Sequence, residues 1–436
     1  MSREMKDSGI PWIGEIPEGW KVNMLSSLFD EHKQKNKDLS ESNLLSLSYG
    51  KIVRKDINTK EGLLPESFEG YNIISNGDIV FRLTDLQNDK RSLRTGLCLE
   101  SGIITSAYVT IRARQQLYSP YYHYLVHSYD VCKVFYGMGD GVRQGMNYSD
   151  LRRLLLITPP LAEQHLIATF LDKKCSEIDS LIELQEQMIE ELKAYKQSII
   201  TEAVTKGLNP NVQMKDSGVE WIGDVPEEWE VKKLSKLLSF KGGFAFNSDD
   251  FINSGDNQVI RIGNVRNDLL RLEVSSVYIS DDIAIQAQKS QLEKGQILFT
   301  MTGTKGKRDY FYTLLLKEED FNGKKFFLNQ RVGCFVPKNG VCANYYNYLL
   351  KDNHILDFIF LYETGTANQG NLGIESINKT ILQYPPLAEQ QAIADYLDKK
   401  CGEIDELITI KQQKIESLKE YKKSVIYEYV TGKREV

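Results

Sequence analysis

The stretch that decides the fold is "PPLAEQHLIATFLDKKCSEIDSLI", which begins at Pro159 and returns as "PPLAEQQAIADYLDKKCGEIDELI" from Pro385. Aligned without gaps over 47 positions, the two copies share 30 identities. A shorter leader precedes each copy, since "MKDSGIPWIGEIPEGWKVNML" (5–25) matches "MKDSGVEWIGDVPEEWEVKKL" (214–234) at 13 of 21 positions. The chain is therefore two copies of one plan: a leader, a divergent stretch and a repeated segment.

The repeated segment is predicted to be one long helix. Neither glycine nor proline occurs between Leu161 and Lys206, and a proline pair precedes each copy, where a helix can begin but not continue. Gly207 and Gly432 mark the predicted ends. At a rise of about 1.5 Å per residue, about 44 residues make a rod of roughly 66 Å.

Apolar residues in this segment follow a 4-3 spacing, which is typical of a coiled-coil seam. Polar interruptions fall at matching places in the two copies, Lys174 with Lys400 and Gln185 with Lys411. Since each rod has one apolar stripe, we expect the rods to pair with each other in antiparallel orientation. The predicted apolar seam consists of Ile167, Leu171, Ile178, Leu181, Met188, Leu192 and Tyr195 in the first copy and Ile393, Leu397, Ile404, Leu407, Leu418 and Tyr421 in the second.

The divergent stretches are predicted to be α+β. Runs rich in β-branched residues, such as "GDIVFRL" (77–83) and "RVGCFVP" (331–337), read as strands, and Tyr-rich pieces after them read as core helices. The predicted fold is α+β, with two globular mixed α/β domains, two long antiparallel coiled-coil helices and an internal pseudo-two-fold repeat. The predicted boundaries are 1–158 and 208–384 for the domains and 159–207 and 385–436 for the helices.

Charge and composition narrow the class of protein. The 436 residues carry a net charge of −6, yet residues 20–160 hold 18 Lys and Arg against 15 Asp and Glu, and residues 229–386 hold 19 against 17. Two mildly basic stretches separated by acidic helices permit a nucleic-acid partner. The six cysteines form no CxxC pair, so we expect free thiols and no metal site. The sequence has neither a membrane span nor a signal peptide, which predicts a soluble, cytoplasmic protein.

Sequence motifs for catalysis are weak. "GTKGKRD" (303–309) lacks the Walker A spacing, and the five histidines occur in no metalloprotease or triad pattern. "FYGMG" (135–139) fits the F-x-G-x-G pattern of S-adenosylmethionine-dependent methyltransferases, but it follows a predicted helix instead of a strand. We therefore expect a chain that is not an enzyme by itself.

Together the repeats resemble the specificity subunit of type I restriction–modification systems. The resemblance rests on the "DSG-x-x-WIG-x-[IV]-PE-x-W" leaders (7–20 and 216–229), the "GDIV" and "GQIL" strands and the "PLAEQ…LDKK…ID" helices, and it covers the whole chain. It implies two target-recognition domains that each read one half of a split site in double-stranded DNA. The unread spacer between the half-sites would be set by the helices.

The resemblance also implies partners and cofactors. Two methyltransferase (modification) subunits and two motor-nuclease (restriction) subunits would complete the enzyme. S-adenosylmethionine, ATP and Mg would bind those partners, with no cofactor on this chain. The alternative hypotheses are a non-catalytic coiled-coil scaffold without base-specific DNA readout and an intrinsic methyltransferase.

Candidate DNA contacts lie in loops that follow the glycine-led strands and in later polar loops. The glycine-rich segment 241–246 resembles a loop that lies near the DNA in this family. Arg can pair with guanine, and Asn or Gln with adenine, through two hydrogen bonds each. Solvated surface is the competing interpretation for any single residue. The candidates are Arg82, Lys90, Arg91, Arg94, Arg143, Gln144 and Asn147 in the first domain and Lys241, Lys305, Lys307, Arg308, Asn368, Gln369 and Asn371 in the second.

Each leader carries two tryptophans, at 12 and 20 and at 221 and 229. Tryptophan is enriched at the centres of protein interfaces, so these side chains could anchor a partner. The interpretation that we favour is that they fasten each leader to its own domain or helix.

Overall fold

The computed structural model describes residues 3–57, 65, 67–86, 93–114, 116–138, 145–366 and 368–436. The chain forms two compact units, unit 1 (Met1–Gln187 with Lys411–Val436) and unit 2 (Met188–Ile410). The division falls inside both long helices, so each unit contains one globular domain together with half of each helix.

In unit 1 short strands alternate with few helices before the first long helix, Leu161–Lys206. The shorter helices are Leu25–Leu28, Ser119–Val131, Tyr148–Leu151 and the 3-10 turn Val134–Gly137. The strands are Met5–Asp7, Glu15–Pro17, Lys21–Met24, Phe29–Glu31, Gln34–Lys35, Leu45–Ser48, Lys51–Arg54, Asn72–Ile74, Ile79–Phe81, Thr95–Leu97, Gly102–Ile104, Val109–Ala113 and Leu155–Thr158.

Unit 2 has the same plan with more elements among the described residues, and it ends in the second long helix, Leu387–Val430. Its shorter helices are Leu234–Leu237, Asp281–Gln286, Glu318–Phe321, Ala343–Leu349, Asn353–Phe360 and Ile374–Lys379, with 3-10 turns Ser248–Asp250, Ile262–Asn264 and Gln288–Ser290. Its strands are Met214–Asp216, Asp224–Pro226, Glu230–Lys233, Leu238–Lys241, Asn257–Ile260, Val265–Arg266, Leu269–Leu270, Tyr278–Ile279, Ile297–Thr300, Thr302–Gly303, Thr313–Leu315, Lys325–Leu328, Val332–Pro337, Glu363–Thr366, Gln369–Leu372 and Ile381–Tyr384.

Each unit contains its own antiparallel four-stranded sheet, and the strand order is the same in both. In unit 1 the order is Thr95–Leu97, Ile79–Phe81, Val109–Ala113 and Phe29–Glu31. In unit 2 it is Thr313–Leu315, Ile297–Thr300, Val332–Pro337 and Leu238–Lys241. The "GDIV" and "GQIL" segments therefore provide equivalent strands, as the sequence predicted.

A second, three-stranded sheet has regular strands at different places in the two units. In unit 1 its central strand Asn72–Ile74 has antiparallel neighbours on both sides. In unit 2 the central strand Asn257–Ile260 pairs antiparallel with Tyr278–Ile279 and parallel with Lys325–Leu328. Isolated bridges supply the remaining pairings, because Leu44 pairs parallel with Ile103 in unit 1 and Gln291 pairs antiparallel with Phe327 in unit 2. The pairing pattern is therefore retained, and the sequence divergence changes which of these strands are long.

Each unit holds its two helix halves antiparallel. In unit 1, Asp179 contacts Lys422 at 2.6 Å between Oδ1 and Nζ, and the rings of Phe170 and Tyr429 lie 4.4 Å apart. Partner numbers fall as the first helix proceeds, which defines the antiparallel direction. In unit 2 the equivalent ion pair joins Lys196 to Asp405 at 2.7 Å. Both long helices are present, and three of their four ends lie within two residues of the predicted bounds. The second helix ends at Val430, six residues before the predicted end at 436.

The strict heptad seam was wrong in part. Leu181 and Leu407 are 47% exposed, and Tyr195 and Tyr421 are 59% and 52% exposed. Their following residues, Ile182 and Lys196 in the first helix, take the more buried positions. The buried stripe drifts because these helices keep the ordinary period of about 3.6 residues instead of the 3.5 of a supercoil. The remaining predicted seam residues, Ile167, Leu171, Ile178, Met188, Leu192, Ile393, Leu397, Ile404 and Leu418, are buried or half-buried.

A tryptophan fastens each leader to the start of a long helix. The indole nitrogen of Trp20 donates to the Glu163 carboxylate at 3.0 Å, and that of Trp229 donates to Glu389 at 2.9 Å. Trp20 is 1% exposed and Trp229 is fully buried. These two tryptophans therefore hold the leaders to their own units and do not form a surface for a partner.

A tyrosine joins each Tyr-rich helix to the end of a long helix. The Tyr121 hydroxyl donates to the Val430 carbonyl at 2.8 Å, and the Tyr345 hydroxyl donates to the Val204 carbonyl at 3.1 Å. Both tyrosines are fully buried, and burial raises their pKa well above the ordinary value. We call the repeated tryptophan and tyrosine contacts of each unit the clamp.

Glutamines at matching positions complete the clamp. Gln164 is buried and donates from Nε2 to the Pro159 carbonyl at 2.9 Å, and Gln390 donates to the Pro385 carbonyl at 2.8 Å. Each bond satisfies a carbonyl just before the helix, which fixes the angle at which the chain enters it. Among the described residues no helix is both long and apolar enough to cross a membrane.

Candidate nucleic-acid interface

In unit 2 the predicted contact loops converge on one small sheet. Strand Gln369–Leu372 pairs with Glu363–Thr366 on one side and with Thr302–Gly303 on the other. We call the pair Glu363–Thr366 and Gln369–Leu372 the unit 2 hairpin. The loop at 302–308 and the polar segment at 368–371, which are about sixty residues apart in sequence, therefore form one surface.

A buried acid–phenol contact holds this surface together. The Tyr310 hydroxyl donates to Glu363 Oε1 at 2.6 Å, and the Gly306 amide donates to the same carboxylate at 3.0 Å. Tyr310 is 3% exposed. Its burial, together with the hydrogen bond to Glu363, raises the pKa of Tyr310, so the hydroxyl stays protonated as a donor. The hairpin and the 304–309 loop are thus fixed relative to each other.

The hairpin needs glycine where it faces the rest of unit 2. A Cβ at Gly370 would lie 2.3 Å from Glu363 Oε1 and 2.8 Å from the Tyr310 hydroxyl. Leu372 is 3% exposed, and its amide donates to the Met301 carbonyl at 3.2 Å. This face is therefore packed, and the opposite face points away from the core.

The outward face carries polar, uncharged side chains. Side chains alternate along a strand, and the register pairs Thr364 with Asn371 and Thr366 with Gln369. Thr364, Thr366 and Gln369 are exposed, and Asn371 is half-exposed. Asn368 is also exposed, at the end of the hairpin. The sequence predicted the amides but missed the threonines, which the alternation in "ETGTANQGNL" could have indicated.

The cationic side chains predicted to contact DNA in unit 2 differ in whether other protein groups already hold them. Lys305 donates from Nζ to the Gly365 carbonyl at 3.0 Å, and Arg308 forms an ion pair with Asp357. Lys307 is exposed and has no ion pair among the contacts of the described residues. Lys307 is therefore the cation best placed to meet an external anion, while Lys305 supports the hairpin.

The glycine-rich segment 241–246 packs beside this region. Lys241 donates from Nζ to the Gln291 carbonyl at 2.7 Å, so its ammonium is held by the protein. A Cβ at Gly243 would lie 2.2 Å from the Asn329 carbonyl, which explains the glycine. Arg331 follows this contact, is exposed, and accepts at its carbonyl from Met301. The sequence reasoning did not select Arg331.

Unit 1 repeats one contact of this region, between described residues that border its two predicted loops. The Met146 amide donates to the Leu83 carbonyl at 2.9 Å, at positions equivalent to Leu372 and Met301 of unit 2. The contact therefore belongs to the repeated plan. Lys90, Arg91, Arg143 and Gln144 lie outside the described residues.

Arg94 requires a correction, because it is fully buried. Its guanidinium donates to the carbonyls of Thr84 at 2.7 Å and Asp85 at 3.3 Å. An arginine enclosed in this way supports the loop from inside and is not available to DNA in this structure.

The other two described candidates of unit 1 lie at the surface. Arg82 is half-exposed beside the loop that Arg94 supports. Asn147 is exposed and caps the helix Tyr148–Leu151 by accepting from the Ser149 amide at 2.7 Å. Its side chain therefore has a structural task whether or not it meets a ligand.

Among the described residues, no group of three or more His, Cys, Asp or Glu side chains is arranged to hold a metal ion. All six cysteines are free thiols, of which Cys132 is exposed. Burial raises the pKa of Cys98 to about 11 and that of Cys334 to about 12, so neither is a thiolate near neutral pH. The surface described above contains hydrogen-bond donors and acceptors suited to binding.

Comparison with known proteins gives a consistent family. A model of the type I restriction modification DNA specificity domain matches residues 226–432. The type I restriction enzyme MjaVIII specificity subunit of Methanocaldococcus jannaschii is 29% identical over 63% of this chain, and the match spans 61% of that protein. The putative MjaX specificity subunit of the same organism is 25% identical over 97% of this chain and 95% of its own length.

Solved structures support the fold. A chain from a structure of a type I R-M system, concerned with complex assembly and conformational transition, has a TM-score of 0.70 at 15% identity and covers 96% of this chain and 99% of its own. The HsdS subunit from Thermoanaerobacter tengcongensis has a TM-score of 0.51 at 14% identity, with 96% and 98% covered. At these identities the likeness concerns the fold alone.

Proposed function

Since this chain belongs to the specificity subunits of type I restriction–modification systems, we propose that it reads a bipartite DNA target. The subunit is not itself an enzyme. It directs a methyltransferase and a restriction subunit to the target, and S-adenosylmethionine, ATP and Mg bind those partners.

The observation that carries this proposal is a repeated framework with unlike surfaces. The clamp and the four-stranded sheet are equivalent in the two units. The contact loops differ in sequence, and the strands of the second sheet differ in length. Generic phosphate contacts can be shared between two readers, whereas base-edge contacts must differ if the half-sites differ. Each unit therefore suits one half of a split site.

The long helices supply a reason for two copies of one partner. Leu181 and Leu184 of the first helix are 47% and 48% exposed, and the equivalent Leu407 and Ile410 of the second are 47% and 53% exposed. Such apolar side chains on the surface of a long helix suit a protein contact. Because they recur at equivalent positions, the same methyltransferase surface can bind each helix, which favours two such subunits per chain.

The test is selection of a randomised duplex library by the purified chain with its methyltransferase partner. We expect two short conserved half-sites separated by positions without preference, and weaker enrichment for the chain alone. Partner binding without any enriched sequence would contradict the proposal and would favour a coiled-coil scaffold.

A second measurement addresses the intrinsic methyltransferase alternative. Isothermal calorimetry of the isolated chain with S-adenosylmethionine is expected to give no binding heat. Saturable binding would assign the cofactor to this chain and contradict the division of labour proposed above.

A further inference from the structure

We propose that the unit 2 hairpin is a β-ribbon that enters the major groove and reads bases through Gln369 and Asn371. The inference rests on the proposed DNA-reading function and specifies which element of unit 2 performs it. A two-stranded ribbon fits the major groove, which is about 12 Å wide.

The first support is the sorting of side chains between the two faces of the ribbon. Leu372 and Gly370 pack toward Tyr310 and are buried, while Thr366 and Gln369 stand opposite each other on the outer face. Thr302, on the third strand, pairs with Asn371 and continues the polar face. A continuous outer surface of hydroxyls and amides presents donors and acceptors without a net charge, which is the chemistry of base edges.

The second support is rigidity. Glu363 accepts from Tyr310 and Gly306, and the Thr364 hydroxyl donates to the Asn371 carbonyl at 3.2 Å. Lys305 fixes the opposite strand through the Gly365 carbonyl. Because these bonds already hold the backbone in place, the hairpin loses little conformational entropy on binding. A hairpin fixed in this way also holds its side chains in one position against the bases.

The third support is the position of the cations. Lys307 follows Gly306, whose amide donates to Glu363. The carbonyl of Arg331 accepts from the Met301 amide. Both Lys307 and Arg331 are exposed. Charged side chains beside a neutral polar face divide the work into phosphate contacts that position the ribbon and base contacts that specify sequence. Gln369 and Asn371, whose amides can each pair with an adenine through two hydrogen bonds, take the second task.

The experiment compares recognition motifs of full-length variants, each assembled with the methyltransferase partner and selected against a randomised duplex library. For the double variant Gln369→Ala with Asn371→Ala, we expect a change at one or two positions of one half-site. There the preference for the favoured base over the other bases should fall about tenfold. The other half-site and the spacer should stay unchanged. Gln286→Ala, which removes an exposed amide from the helix Asp281–Gln286, is the matched control and should leave the whole motif intact.

A lysine variant separates phosphate from base contacts. Lys307→Gln should weaken binding to all sequences alike and reduce the slope of log affinity against log salt by about one, without altering the motif. Lys289→Gln, an exposed lysine on the 3-10 turn Gln288–Ser290, should change the slope less. A motif altered by Lys307→Gln would contradict this assignment.

A single substitution guards against misfolding. Gln369→Glu keeps the size of the side chain but removes its donor, so preference at that position should move from adenine toward cytosine, whose amino group a carboxylate accepts. An unchanged motif in both this variant and the double alanine variant overturns the inference while leaving DNA reading intact. Absence of any motif for the unaltered chain would instead refute the proposed function itself.

Discussion

At the scale of single residues, two glycines show how closely the clamp is fitted. Gly432 has a φ of +71°, and a Cβ added there would lie 2.5 Å from Pro17 and 3.0 Å from Trp20. Gly207 has a φ of +76° and faces Trp229 in the same way. Each helix thus ends in a left-handed residue that leaves room for the leader tryptophan.

Gly432→Ala is therefore expected to destabilise unit 1. The strained backbone alone costs about 1–2 kcal/mol, and the clash with Pro17 adds to it. Gly402→Ala is the matched control, because Gly402 lies within the second long helix with no atom near a new Cβ. It should raise stability by up to about 1 kcal/mol. Thermal unfolding of the two variants would be compared, and equal midpoints would contradict the fit described for Gly432.

Two histidines on the helix Ser119–Val131 should make the protein sensitive to acid. Burial, with a contribution from His127, lowers the pKa of His123 from 6.5 to about 3. Burial, with contributions from Lys422 and Lys423, lowers the pKa of His127 to about 4. The unfolded chain then binds more protons than the folded chain below pH 6.5, so the free energy of unfolding falls as the pH drops from about 6.5 toward 4.

The substitution His127→Gln removes one such group and should flatten this dependence. The reduction is at most about 1.4 kcal/mol per pH unit for each histidine. Calorimetric unfolding at pH 7.5 and 5.0 would measure it, with the exposed His165→Asn as control. If the variant loses as much stability between the two pH values as the unaltered protein, His127 is not the acid-sensitive group.

Residue roles were only partly predictable from the sequence. The Tyr-rich helices were expected in the core, and Tyr121 and Tyr345 are fully buried. Arg94 was selected for its charge, yet its position just before the strand Thr95–Leu97 places its guanidinium among backbone carbonyls. A sequence pattern gives the residue type but does not say whether a loop side chain turns inward, and Arg94 turns inward.

At the scale of elements, the long helices were the most predictable part of the chain. The proline pairs, the final glycines and the absence of breakers gave bounds that the structure confirms. The seam was less predictable, because residues such as Leu181 and Ile182 are adjacent and equally apolar. Which of them faces the partner helix depends on a small difference in helical period.

The exposed residues left by this drift give a prediction about assembly. Leu184→Asp together with Ile410→Asp should leave both units folded, since these side chains are 48% and 53% exposed, but should abolish binding of the methyltransferase partner. Leu269→Asp, at 54% exposure on a different element, is the control. Analytical ultracentrifugation of each variant with the partner would decide. Unchanged assembly of the double variant would place the docking surface elsewhere.

At the scale of the whole molecule, the repeat in the sequence correctly indicated the repeated framework, whereas the pairing partners of the short strands could not be foreseen. Strand Lys325–Leu328 joins Asn257–Ile260 in parallel, a pairing between segments far apart in the chain. Short-range patterns carry little information about such contacts. The unit 2 hairpin depends likewise on a buried contact between Tyr310 and Glu363, 53 residues apart.

The helices also give a prediction about spacing. Inserting seven residues, about two turns, into both long helices at equivalent positions preserves the apolar face and lengthens each by about 10.5 Å. With base pairs about 3.4 Å apart, the unread gap between half-sites should grow by about three base pairs. Sequencing of the DNA methylated by the assembled enzyme would measure the gap. An unchanged gap with both half-sites intact would show that the helices do not set it.

The clamp has a consequence for how such proteins change over generations. Its tryptophan and glutamine contacts lie at the entrance and exit of each domain, where the sequences of the two halves are nearly the same. A different domain sequence inserted between those borders would be flanked by the same clamp residues on both sides. Recombination at the borders can therefore replace the interior of a domain, and with it the contact loops, while the clamp contacts stay the same.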